Sequence, residues 1–194
     1  METVSVFDLI ERMAALIRSE ERKRCTEFGL QPVHLQVLDY LSRCNRYSDT
    51  PAALTNYLGM TRGTVSQTLL LLEKKSYIEK TTDNADRRVV HLSLLPEGET
   101  ILNQTRQADL FKRAEAVFAE NAFINPETIF MEALVALQKS NSSQSFGLCK
   151  TCRYFTNVDD GFQCGLTKGT LSHSDSEKIC QEHSVDITAP DSLI

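Results

Sequence analysis

Thr50-Pro51-Ala52-Ala53-Leu54-Thr55-Asn56-Tyr57-Leu58-Gly59-Met60-Thr61-Arg62-Gly63-Thr64-Val65-Ser66-Gln67-Thr68-Leu69-Leu70-Leu71-Leu72-Glu73-Lys74-Lys75 reads as two short helices meeting at a tight turn. Thr50 before Pro51 is an N-cap followed by the residue whose fixed φ suits a first helical turn. Leu54 and Leu58 carry that helix for about two turns, and Gly59 ends it in a left-handed conformation. Thr61 caps the next helix, where Val65, Leu69 and Leu72 form the buried stripe. Arg62, Thr64, Ser66 and Gln67 remain for other faces. Two helices joined across Gly59-Met60-Thr61 make a helix-turn-helix candidate.

Downstream of Lys74-Lys75-Ser76 the period changes from helix to strand. Ile78 opens one strand, Asp83-Asn84-Ala85-Asp86 supplies turn chemistry, and Val90, Leu92 and Leu94 alternate with His91 and Ser93 on the return. This is a two-stranded wing. Upstream, residues 4 to about 24 place Phe7, Ile10, Ala14 and Ile17 on one face of a long amphipathic helix. Gly29 and Pro32 interrupt it, and Leu35, Leu38 and Leu41 mark a second helix ending near Asn45, before a polar gap to Asp49.

Pro96-Glu97-Gly98 starts a long segment to Asn121 with Ala108, Phe111, Ala114 and Phe118 at helical spacing. Asn125-Pro126-Glu127 caps another helix, with Phe130, Ala133, Leu134 and Leu137 on one face. Ser140 to Ser145 is polar and lacks apolar anchors, so it reads as a linker. The expected organisation is a winged helix-turn-helix domain over 1–139, with its DNA-reading part at about 50–98, then a linker over 140–145 and a cysteine-rich tail over 146–188. The expected fold class is mainly α: an α+β winged helix-turn-helix with flanking helices and a small metal-stabilised C-terminal domain.

The chain of 194 residues is 41% hydrophobic and 24% charged, which suits a folded globular protein. Its net charge is −5, so any nucleic-acid contact must be local. Residues 51–98 carry six basic and five acidic side chains, a balance of +1. No apolar run approaches the roughly 18 residues of a membrane span, and no secretion signal is read at the amino end, so a cytoplasmic location is expected. Enzyme chemistry is not expected, since the chain lacks a phosphate-cradling glycine loop, a His-Glu-x-x-His segment and a nucleophile signature.

A recognition helix fits the DNA major groove and presents its amino-terminal polar side chains to base edges. Here Arg62 suits guanine, Gln67 suits adenine, Thr61 and Ser66 suit phosphate, and Thr64 lies among them. Arg87 and Arg88 at the wing tip suit the minor groove or phosphate, with Asp86 orienting one of them. The plainer reading is a solvated helix face on a dimeric scaffold whose tail binds a protein partner.

Residues 1 to about 139 resemble the MarR family of bacterial transcriptional regulators, most sharply in Asp83-Asn84-Ala85-Asp86-Arg87-Arg88-Val89-Val90-His91-Leu92-Ser93-Leu94-Leu95-Pro96-Glu97-Gly98. Leu58-Gly59-Met60-Thr61, Val65-Ser66 and Leu71-Leu72-Glu73-Lys74-Lys75 are similar to that family's recognition segment. Ser76 departs from the pattern, which usually has glycine closing the helix; serine tolerates a left-handed turn less well. The resemblance implies a triangular homodimer joined through its first and last two helices. Such a dimer represses from a pseudo-palindromic operator on double-stranded DNA, with half-sites about 34 Å apart. It further implies release by a small-molecule effector or by cysteine oxidation.

Typical members lack the tail, which reads Cys149-x2-Cys152-x11-Cys164-x15-Cys180-x2-His183. Paired thiols at that spacing suit a tetrahedral structural zinc held by Cys149, Cys152, Cys164 and Cys180, with His183 as an alternative ligand. The same four thiolates suit an iron–sulfur cluster, and free thiols or a redox disulfide are the third reading. The tail has few large apolar residues, so an ion can supply missing folding free energy. Cys25 beside Arg22, Lys23 and Arg24 is either a thiolate switch or, like Cys44, a small buried hydrophobe. His34 and His91 read as surface or satisfied interior groups, and Tyr40, Tyr47 and Tyr57 as core or the lining of an effector pocket.

Overall fold

The computed structural model describes residues 5–106, 146–158 and 161–184, and positions 130, 131, 133, 134, 136 and 137. The linker expected over 140–145, and most of the helices expected between 107 and 139, lie outside the described residues. Helix α1 spans Val6–Glu27, closed at its start by a capping box in which Ser5 accepts from Phe7 N–H while Asp8 accepts from Ser5 N–H. It therefore runs about one turn past the end expected from the sequence.

Helix α2 (Pro32–Arg43) begins on Pro32, and the Gln31 N–H donates to His34 Nδ1 at 3.0 Å. Helix α3 (Pro51–Leu58) is capped by Thr50 and ends at Gly59, whose φ of 62° is the left-handed conformation the sequence asked for. Helix α4 (Arg62–Lys74) is capped by Thr61. Past it, Ser76 adopts φ 57°, so the non-glycine residue takes the left-handed turn and the helix stops where the family pattern places its end.

Strands β1 (Ile78–Thr82) and β2 (Val90–Leu94) pair antiparallel, Ile78 facing Leu94 and Thr82 facing Val90. Helix α5 (Pro96–Arg106) is locked to the base of this wing. A Cβ on Gly98 would lie 2.3 Å from the Tyr77 carbonyl oxygen, so only glycine lets the two backbones approach this closely.

The core gathers Val37 and Leu38 from α2, Leu54 from α3, Val65, Leu69 and Leu72 from α4, Ile78 and Leu92 from the wing, and Leu102 from α5. Each such side chain, fully buried, contributes about 1.5–3 kcal/mol. Tyr40 is wholly buried and satisfies its hydroxyl by donating to the Ser48 carbonyl at 2.7 Å. It packs on Tyr57 at 4.6 Å between ring centroids.

The tail is mostly short strands. Strand β3 (Gly147–Leu148) pairs with β7 (Ile179–Cys180), while β4 (Phe155–Val158), β5 (Gly161–Cys164) and β6 (Thr170–Leu171) form a separate antiparallel sheet. A four-residue helix α6 (His173–Ser176) precedes β7. The tail is docked on the body rather than standing apart from it. Cys44 pairs in parallel with Ile179, Phe146 stacks edge-on against Tyr57, and Ile179 joins the main core.

Candidate nucleic-acid interface and thiol cluster

The buried stripe of α4, Val65, Leu69 and Leu72, turns Arg62, Thr64, Ser66 and Gln67 outward together with Thr61. Two of these groups also have local structural work. Thr61 Oγ1 accepts from Thr64 N–H at 3.2 Å and lies 2.9 Å from Thr64 Oγ1, so both hydroxyls are engaged in capping the helix. Arg62, Ser66 and Gln67 are the exposed side chains that the cap leaves to a partner.

At the wing tip Asp83 Oδ1 accepts from both Ala85 and Asp86 N–H at 2.7 Å, folding the turn. Asp86 then accepts from Arg88 twice, Nε to Oδ1 at 3.0 Å and Nη2 to Oδ2 at 2.8 Å. The arginine that Asp86 orients is therefore Arg88, held in a planar fork while its side chain stays 89% exposed. The same bond holds the Asp86 carboxyl below its usual range. Arg87, the other basic residue of the tip, is exposed as well.

The wing is anchored near its turn by a group that the sequence reading left as generic. His91 Nδ1 lies 2.6 Å from Asp49 Oδ1, and its Nε2 lies 3.3 Å from Asp83 Oδ2. The Asp49 hydrogen bond leads in raising the His91 pKa. Leu92 N–H donates to the Asp49 carbonyl at 2.7 Å. Asp49 thus ties the segment before α3 to β2 through both its backbone and its side chain.

The tail brings its four cysteines into one neighbourhood. Burial, and then the thiols of Cys180, Cys152 and Cys164, push Cys149 up to about 12. Three of the sulfurs meet N–H donors. Ser184 N–H donates to Cys152 Sγ at 3.4 Å. Burial raises the Cys164 thiol, but the Thr167 hydroxyl with the N–H groups of Thr167 and Leu166 outweighs it and brings the thiol down. Cys180 is raised by burial and eased by the Glu182 N–H and the Asn45 side chain. All six cysteines are free thiols. Among the described residues no three His, Cys, Asp or Glu side chains form a ready-made metal cage.

His183 takes another position: its Nε2 shares a 2.9 Å hydrogen bond with Thr151 Oγ1, and its ring packs where a Cβ on Gly147 would be. Cys25 takes the second of its two readings, the small buried hydrophobe. It is buried, and desolvation with Glu21 outweighs Arg24 to raise its thiol, so the basic neighbours in sequence do not make a thiolate. Cys44 is likewise buried and pushed up to about 12. Tyr40 and Tyr57 are core, whereas Tyr47 is more exposed and donates to the Thr170 carbonyl at 2.8 Å.

Residues 28–89 match the model of the MarR family. An uncharacterized HTH-type transcriptional regulator of Bacillus subtilis (strain 168), YsmB, is 25% identical over 131 residues, or 66% of this chain and 86% of that protein. The S. aureus MepR structure in its DNA-binding conformation superposes with a TM-score of 0.60 at 19% identity, covering 72% of this chain and all of that one. Wild-type MarR from E. coli in its apo form gives a TM-score of 0.51 at 19% identity over 70% of this chain and 97% of that chain. At these identities the two structures speak for the fold. The family match is confined to residues 28–89, and that segment is similar to the MarR family within a winged helix-turn-helix fold shared with both structures. Regulators of the MarR family are non-enzymatic DNA-binding proteins. Among the described residues no helix is long and apolar enough to cross a membrane.

Proposed function

We propose that the chain is a dimeric repressor that reads a pseudo-palindromic operator with α4 and the wing, and that its tail is built around a structural zinc. The observation that carries the DNA reading is Arg88, fixed by a two-pronged bond to Asp86 on an exposed wing tip, in a chain whose α4 also turns a polar face outward. A preset guanidinium loses little freedom on meeting phosphate or a narrow minor groove. Arg62 and Gln67 supply the base-edge chemistry in the major groove. The DNA-binding conformation of MepR, on which this chain superposes, is consistent with that assignment.

Dimerisation is supported by exposed apolar surface outside the DNA-reading segment. Val6, Phe7, Leu9, Met13 and Leu16 of α1 are exposed, as are Phe130, Met131, Leu134 and Leu137. A two-fold pairing covers such faces and sets two recognition helices about 34 Å apart, one turn of duplex. A dimer clamped over one or two turns occludes a promoter. A small-molecule effector or a thiol modification that changes the spacing of the two heads then changes affinity without touching a DNA-contacting residue.

The zinc reading is supported by the donor set. Four neighbouring thiols, three of them receiving N–H hydrogen bonds, fit a soft divalent ion better than four protonated thiols, which are weak acceptors. Cys149, Cys152, Cys164 and Cys180 would hold the ion, whose role there is to crosslink the tail. Metal analysis of colourless protein should return zinc stoichiometric with the chain; a brown protein with broad visible absorption replaces zinc by an iron–sulfur cluster.

The DNA reading is tested by gel shift on duplexes selected from a random pool and on the chain's own promoter. Arg62→Ala and Arg88→Ala should each weaken retention at least tenfold while sedimentation still shows a dimer. Variants that bind as the wild type does would return the body to the scaffold reading.

A further inference from the structure

The segment from Asn45 to Asp49 lies between the tail and the wing and is bonded to both. On the tail side, Asn45 N–H donates to the Ile179 carbonyl at 3.0 Å and Gln181 N–H donates to Ser48 Oγ at 2.9 Å. These two bonds bracket Cys180. Further out, Arg46 Nη2 and the Tyr47 hydroxyl both donate to the Thr170 carbonyl, at 2.7 and 2.8 Å. Arg46 also pairs with the buried Asp175 at 3.5 Å. On the wing side, Asp49 holds Leu92 and His91.

Asn45 itself is 1% exposed. Its Oδ1 accepts from Tyr47 N–H at 3.1 Å, which fixes the orientation of the amide. Its Nδ2 makes no well-formed hydrogen bond among the described residues, and the group it faces is the Cys180 thiol, which it eases downward. A buried amide donor without an acceptor is costly, and a neutral thiol is a poor acceptor where a metal-bound thiolate is a good one. Donors of this kind orient and tune metal ligands from outside the coordination sphere.

Resting on the four-thiolate reading above, we propose that the winged-helix body completes the metal site through Asn45. Its buried amide donates to the Cys180 thiolate, so that loading the site fixes the Asn45–Asp49 strap that carries the wing. Asn45 is a positioning residue. It binds no metal, and it links metal occupancy to the anchorage of the wing through backbone bonds already in place. The consequence is that the tail is a regulator of the reading head and not an appended module.

The test uses the full-length dimer. Asn45→Asp keeps the size of the side chain and the acceptor for Tyr47 while replacing the donor with a charge facing thiolates. It should lower zinc affinity by about 10–100-fold in chelator competition, and shift the thiolate charge-transfer band of the cobalt-substituted protein. In the wild type, stripping zinc should speed hydrogen exchange at the Asn45, Gln181 and Leu92 amides at least tenfold. That second measurement needs no variant, so a misfolded Asn45→Asp leaves the proposal exposed to it. An Asn45→Asp protein with wild-type affinity and cobalt spectrum, or a Leu92 amide indifferent to zinc, overturns the coupling while the four-thiolate site stands. A wild-type chain that takes up neither zinc nor cobalt removes the site itself and the coupling with it.

Discussion

The winged-helix body and the tail hide their side chains in different ways. In the body, Val37, Leu38, Leu54, Leu72 and Ile78 are buried to 1% exposure or less, drawn from three helices and a strand that each present one apolar face. In the tail the buried cluster is Cys149, Leu171 and Cys180, with Phe155, Phe162 and Cys164 packed against it, so half of the set are cysteines. An aliphatic core holds by area removed from water, whereas thiols contribute little area and gain most when an ion joins them. The body therefore rests on its own aliphatic core, whereas the tail leans on the Asn45–Asp49 strap and, under the proposed zinc reading, on a metal.

The sharpest way to break that contrast is to remove the metal. Stripping zinc from the wild-type protein should abolish slow hydrogen exchange throughout β3 to β7, while α2 and α4 keep theirs. Equal loss in both regions would show that the body depends on the tail. The complementary cut is in the body: Leu72→Ala empties a fully buried site and should cost about 2–5 kcal/mol in denaturant unfolding, with the zinc stoichiometry unchanged.

A smaller effect concerns the end of α4. Ser76 holds φ 57°, a conformation that favours glycine. Ser76→Gly should stabilise the body by about 0.5–1 kcal/mol, read as a rise in Tm. No gain would mean that local hydrogen bonding already offsets the strain, Ser76 N–H donating to the Glu73 carbonyl at 2.9 Å.

The smallest effect is on pH dependence, and it sits at the joint between the two regions. Asp49 raises the His91 pKa above the ordinary 6.5, so the folded state favours the imidazolium. That stabilisation is fully present below 6.5 and is lost as pH rises through the raised folded value. Burial raises Asp49 from 3.8, and the Asp86 N–H leads in lowering Asp83 from the same value. The Tm advantage of the wild type over His91→Asn should accordingly shrink between pH 6 and pH 9; a constant advantage would show that the bond to Asp49 is uncharged.

Most of the body was legible in the sequence because its signals are local. Thr50-Pro51, Gly59 and Thr61 act within a turn of where they stand, and the stripe of Val65, Leu69 and Leu72 is a matter of helical period. That Asp86 holds one arginine of the tip was legible for the same reason, both candidates standing within two residues of it; the geometry of the turn makes it Arg88. Only the structure separated the two readings of Cys25, because sequence neighbours give charge and not burial: the thiol enters the core, where desolvation and Glu21 outweigh Arg24. The stretch from Asn45 to Asp49 read only as a polar gap. Its partners Thr170, Ile179 and Gln181 lie more than 120 positions away, and nothing in Asn45 or Ser48 announces them.

The amino-acid order alone determined the helices, their caps, the wing and the four-cysteine spacing, since caps, periodicity and turn chemistry operate over a few residues. Tertiary structure decided which thiols are buried and that the tail is seated on the strap beside the wing. Those outcomes depend on what closes over each group and on backbone bonds between distant segments, which no local pattern encodes.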